Sequence, residues 1–143
     1  VAVSLQNYPV EFIHNPAWKS GVGNSLALGV RALRARGAAG VLVMLCDQPL
    51  VLESDLMALV DAWQDNPLIP AAARYNDSAG VPAIFPASYF EQLAELDGDT
   101  GARALLRGQN ECSIVDMPSA AIDIDTAEDI ESLHRYDLDS TRK

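Results

Sequence analysis

The spacing of apolar residues divides the chain into alternating helical and extended segments. After the glycines of "SGVGNS", Leu26, Val30 and Leu33 fall at i, i+4 and i+7, which predicts a helix ending near Gly37. "GVLVMLC" (40–46) is continuously apolar and predicts a strand covered on both faces. Leu56, Leu59, Val60 and Trp63 repeat at i, i+3, i+4 and i+7, the clearest amphipathic helix in the chain. "PLIPAAA" (67–73) and "VPAIF" read as strands, the first irregular or at an edge because of Pro70. The polar "RYNDSAG" (74–80) between them reads as a turn-rich connection. "PVEFIHN" (9–15) predicts a short strand running into the turn Asn15-Pro16.

Later segments follow the same logic. Tyr89, Leu93 and Leu96 mark a helix after Pro86, and "DTGARALLRG" (99–108) a short helix stopped by glycine. "CSIVDM" and "AAIDID" predict two short strands. Thr126, with Asp129 three residues on, has the pattern of a capping box at the start of a last helix. A β-α-β-α-β order implies an open, mostly parallel, three-layer α/β sheet, and with no linker or repeat the chain reads as a single domain, 1–143. Ligands of such sheets bind beyond the carboxyl ends of the strands. Asp47, in "VLVMLCDQPLV", falls there.

Composition narrows the chemistry. A net charge of −10 over 143 residues argues against nucleic acid, whose phosphates need a basic face. No apolar run reaches the roughly 20 residues of a membrane span, and the expectation is a soluble, cytoplasmic protein. Cys46 and Cys112 form no zinc-binding spacing, and Cys46, inside an apolar run, is expected to be a buried thiol. The sequence has no GxxxxGK[ST], HExxH or GxSxG, so P-loop, zinc-protease and serine-hydrolase chemistry are set aside.

Acids, glycines and an arginine at element ends remain. Asp47 ends one predicted strand, while Asp123 and Asp125 alternate in "DID" and point to one face of another. Carboxylates from two strand ends suit Mg²⁺, which keeps few protein ligands and completes its octahedron with phosphate oxygens and water. The same acids also suit turn and helix-cap positions. Gly21 and Gly23 permit close backbone approach, and Ser25 opens a helix whose N–H groups can face a ligand, or the three simply form a glycine turn. Gly80 and Pro82 shape a loop wall or a chain reversal. Arg103 meets a phosphate or rests on a helix surface.

Five stretches, "NPAWKSGVGNSLALG", "DQPLV", "GVPAIFP", "GDTGARALL" and "DIDTAEDI", stand in the order and rough spacing of the MobA-like nucleotidyltransferases. Among these the chain most resembles the molybdenum cofactor cytidylyltransferases. The resemblance, over residues 13 to about 134, implies a Rossmann-like nucleotide-diphospho-sugar transferase fold. It also implies transfer of CMP from CTP to a molybdenum pterin, with release of pyrophosphate. By motif, Asp47 and Asp125 would be the catalytic Mg²⁺ ligands, with Asp123 nearby. Gly21, Gly23 and Ser25 would surround the nucleotide base, and Gly80 and Pro82 would border the acceptor pocket, with Arg103 also on substrate. A transient partner would receive the finished cofactor.

Members of this family begin with a strand and a glycine-rich LAAGxSxRMGxxK loop that has no counterpart here. The resemblance therefore implies the C-terminal three quarters, roughly, of such a domain. The chain alone is expected to be inactive, with activity belonging to a full-length parent. Two other readings are a GTP-using guanylyltransferase and a non-catalytic remnant that binds nucleotide or a partner. A receiver-type signalling domain would need an acid pair after an earlier strand, where "EFIHNP" offers only His14.

Overall fold

A computed structural model describes residue 5 and residues 7–107, 111–124, 126, 128 and 129. Four strands, β1 (Gly40–Val43), β2 (Ala71–Tyr75), β3 (Ser78–Pro86) and β4 (Ser113–Asp116), form one sheet in the order β1-β3-β2-β4. Three of the four run the same way. The exception, β3, lies antiparallel between β1 and β2, while β2 and β4 pair in parallel. The sheet is thus mostly parallel in strand direction, with β3 its one reversed strand. The reason is local: only Asn76 and Asp77, both with positive φ (50° and 57°), separate β2 from β3. Two such residues make a type I′ hairpin turn, and a hairpin can join only antiparallel strands. Most of the polar stretch 74–80 therefore belongs to the strands themselves.

Helices cover both faces. On one side lie α1 (Val22–Ala35), α3 (Phe90–Ala94) and α4 (Arg103–Leu106), packed through Val30, Phe90, Leu93 and Leu106 onto Val41, Ala72, Ala83 and Phe85. On the other, α2 (Glu53–Asp65) buries Leu59 against Ala71 and Ile84. Adjacent strand residues point to opposite layers, as the two-residue period of a strand requires. The Arg31 guanidinium donates to the Ala94 carbonyl at 2.6 Å and ties α1 to the end of α3. The Thr126–Asp129 capping box is present: the Thr126 N–H donates to Asp129 Oδ2 (2.8 Å) and the Asp129 N–H to Thr126 Oγ1 (3.3 Å).

Several expectations change. Residues 9–15 form no strand, and Val10, Phe12 and Ile13 are between 42% and 51% exposed. An isolated extended segment gains no ladder hydrogen bonds; among the described residues no strand lies along the outer edge of β1 to pair with it. β1 ends at Val43 rather than Cys46, so Met44, Leu45 and Cys46 leave the sheet and Cys46 is exposed. The strand after Pro70 is interior, and its irregularity is a register shift against β3 between Ala72 and Ala73. The described residues of "AAIDID", 120–124, form no strand: Pro118–Ala121 form a 3-10 turn, and 122–124 follow it without ladder pairing.

Candidate active site

The segment after β1 leads directly to a cavity of about 610 Å³. Val43, Met44, Leu45 and Val81 supply apolar wall, and Ser25, Gln48, Tyr75, Arg103 and Asp123 bring polar groups to it. An apolar pocket with a few convergent polar groups is the usual form of a small-molecule site. It lies where β1 delivers its carboxyl end, so the topology explains the location.

Ser25 sits in the first turn of α1, and its hydroxyl accepts a hydrogen bond from the Asn15 side-chain amide (2.9 Å). Asn15 also accepts from the Ala17 N–H (2.9 Å), so the "NP" turn holds the start of α1. Gly21 and Gly23 do not line the cavity. They bring α1 against the loop 97–100 instead. Gly21 has φ +113°, and a Cβ there would stand 2.0 Å from the Gly98 carbonyl oxygen. A Cβ on Gly23 would stand 2.6 Å from the Thr100 carbonyl, and its N–H donates to the Gly98 carbonyl (3.0 Å). Both glycines act at one remove from the cavity: the loop they admit, "GDTGAR", carries Asp99 and Arg103 to its wall.

Gly80 and Pro82 are buried within β3, flanking the cavity-lining Val81. A Cβ on Gly80 would meet the Tyr75 hydroxyl at 2.5 Å; glycine there lets the phenol lie flat across the strand and donate to the Val81 carbonyl (3.1 Å). The Arg103 Nε is buried without a hydrogen-bond partner, leaving a cation poised at the cavity. Arg103 as a whole is half-buried, and a guanidinium at a cavity wall suits an anionic ligand.

Asp47 Oδ1 is likewise buried without a hydrogen-bond partner. The Asp47 carbonyl accepts from the Ile124 N–H at 2.8 Å, which brings the Asp47 and Asp123 segments side by side. Asp125 lies outside the described residues. Among the described residues no cluster of three metal-ligating side chains forms. The orphaned carboxylate oxygen of Asp47 fits a hard cation that takes one or two protein ligands and keeps its waters. Sequence reasoning overlooked Asn15, Gln48 and Tyr75, although the first two stand inside the "NPAW" and "DQP" stretches.

The family model of the MobA-like NTP transferase domain matches residues 1–113. Purine catabolism protein PucB of Bacillus subtilis is 32% identical over 124 residues, covering 84% of this chain and 56% of PucB. The crystal structure of Rv0371c from Mycobacterium tuberculosis H37Rv superposes with a TM-score of 0.60 at 30% identity, covering 75% of this chain and 58% of that one. A manganese complex of Rv0371c gives a TM-score of 0.57 at 30% identity, over 73% of this chain and 58% of its own. The chain thus spans somewhat over half the length of the relatives it matches.

Proposed function

The chain belongs to the MobA-like NTP transferase family, and from that premise we propose that its cavity is the nucleotidyl-transfer site of a molybdenum-pterin cytidylyltransferase. An oxygen of the acceptor phosphate attacks the α-phosphorus of CTP, the bond to the β-phosphate breaks, and pyrophosphate leaves. The observation that carries the reading is the cavity beyond β1, which Ser25, Arg103 and Asp123 line, together with the buried, unpartnered carboxylate oxygen of Asp47, the residue before cavity-lining Gln48.

Chain residues divide the work. Asp47, with Asp123 beside it and Asp125 in the same "DID" stretch, would hold Mg²⁺; the manganese complex of the similar Rv0371c supports a divalent ion here. Such an ion neutralises phosphate charge in the transition state. Arg103 would balance phosphate charge at the cavity wall, and the apolar residues there would exclude water. Nucleotidyl transfer asks for charge neutralisation and alignment more than for a nucleophilic side chain, so the candidate set of acids and one arginine suits it. Ser25, positioned by Asn15, would face the nucleotide, and Val81, between Gly80 and Pro82, the pterin. The acidic chain suits a small-molecule substrate rather than nucleic acid, and we place the enzyme in the cytoplasm. A partner taking over the finished cofactor completes the reading.

The test uses the longest open reading frame containing this chain, supplied with molybdenum pterin, Mg²⁺ and α-³²P-labelled CTP or GTP. Label is expected in a cytosine dinucleotide with equimolar pyrophosphate. Label from GTP alone would make the enzyme a guanylyltransferase. No transfer from either, with nucleotide still bound, would leave a non-catalytic binding domain.

A further inference from the structure

We propose that Gln48 is a positioning residue whose side-chain amide fixes the Asp47 loop to the turn leading into Asp123, setting the spacing of the two acidic segments. The proposal rests on the nucleotidyl-transfer reading and adds to it a residue of the cavity wall whose two donors are both spent on carbonyls of the chain itself. Gln48 is 6% exposed, the one buried polar side chain among the described residues. Its Nε2 donates twice, to the Val81 carbonyl (3.1 Å) and to the Ala120 carbonyl (2.8 Å). These acceptors lie 33 and 72 residues along the chain, so a single amide joins the β1 loop, β3 and the 118–121 turn.

The pattern also orients the group. Two carbonyls can be satisfied only by the NH₂ end, which determines where Oε1 points. That oxygen is buried with no hydrogen-bond partner. An apolar side chain would fill the same space without leaving a buried acceptor unmet, so packing alone does not account for glutamine here. The crosslinks do account for it. Ala120 is three residues before Asp123, and the Ile124 N–H closes on the Asp47 carbonyl from the far side (2.8 Å). Each acidic segment is thereby tied to the other on both flanks. Groups that orient metal ligands without touching the metal commonly change metal affinity by about 10–100-fold when removed.

Gln48→Met keeps the length of the side chain and removes both donors. In pyrophosphate release by the longest open reading frame, the half-saturating Mg²⁺ concentration is expected to rise about tenfold or more. KM for the nucleotide at saturating Mg²⁺ should rise by much less than the Mg²⁺ requirement, because both Gln48 donors are spent on backbone carbonyls rather than on the NTP. An unchanged Mg²⁺ dependence, or a parallel rise in KM, overturns the proposal. Should Gln48→Met fail to fold, the wild-type side-chain amide decides by NMR. Its protons should exchange far more slowly than those of exposed Gln64, and the pair should shift on Mg²⁺ titration. Exchange as fast as at Gln64 overturns the proposal. A protected pair in a protein that releases no pyrophosphate from any NTP overturns the nucleotidyl-transfer reading instead.

Discussion

At the scale of single residues, the glycines show how a motif and its mechanism separate. Gly21 and Gly23 were candidates for nucleotide contact; their backbones instead receive the Asp97–Thr100 loop. Gly21→Ala would impose a side chain at φ +113° and drive its Cβ into the Gly98 carbonyl. A loss of at least about 2 kcal/mol is expected by denaturant unfolding, from backbone strain and displaced packing together. Gly29, in the same helix, has nothing within 4 Å of its would-be Cβ. Gly29→Ala should therefore stabilise by about 0.5–1 kcal/mol, since alanine costs less entropy in a helix. Asp47 stood out as a candidate in the sequence because an apolar run ended on a charge. Gln48 was not, since its two acceptors are brought near only by the tertiary fold.

At the scale of elements, periodicity located α1 and α2 well and the strands less well. Helix α2 follows the spacing of Leu56, Leu59, Val60 and Trp63, yet burial is uneven along it: Leu59 is fully enclosed, and Trp63 only partly. Leu59→Ala should cost about 2–5 kcal/mol, read from the denaturation midpoint. The segments 9–15 and 120–124 read as strands because hydrophobic alternation reports what a segment prefers, not whether a neighbour exists to pair with it. The hairpin β2–β3 was obscured for the opposite reason: polar residues at the strand ends resemble a loop.

The parallel pair β2–β4 adds a pH-dependent element. Arg74 donates to Asp116 through Nε (2.6 Å) and its terminal nitrogen (2.9 Å). The hydrogen bond and charge of the guanidinium hold the Asp116 carboxyl below its ordinary range and raise the already high Arg74 value. A carboxyl with a lowered folded-state pKa contributes stability above its unfolded value and loses it as pH falls through the folded one. Asp116→Asn should flatten the acid limb of a stability-against-pH curve below about pH 4 and leave neutral stability little changed, since exposed ion pairs contribute little.

At the scale of the whole molecule, a three-layer arrangement carries the open end of β1, the "GDTGAR" loop and the 118–124 segment to one cavity. The five stretches that resembled the family in the sequence include those that meet there or support it. Their meeting follows from β3 lying between β1 and β2, an order that strand spacing does not reveal. The central claim is that the Asp47 carboxylate serves metal-dependent nucleotidyl transfer at this cavity. The most direct measurement compares wild type with Asp47→Asn, in the longest open reading frame, for Mg²⁺-dependent pyrophosphate release from CTP and molybdenum pterin. Loss of a ligand worth several kcal/mol to the transition state predicts at least about a 100-fold fall in rate with the unfolding midpoint retained. A rate within about twofold of wild type would contradict the claim.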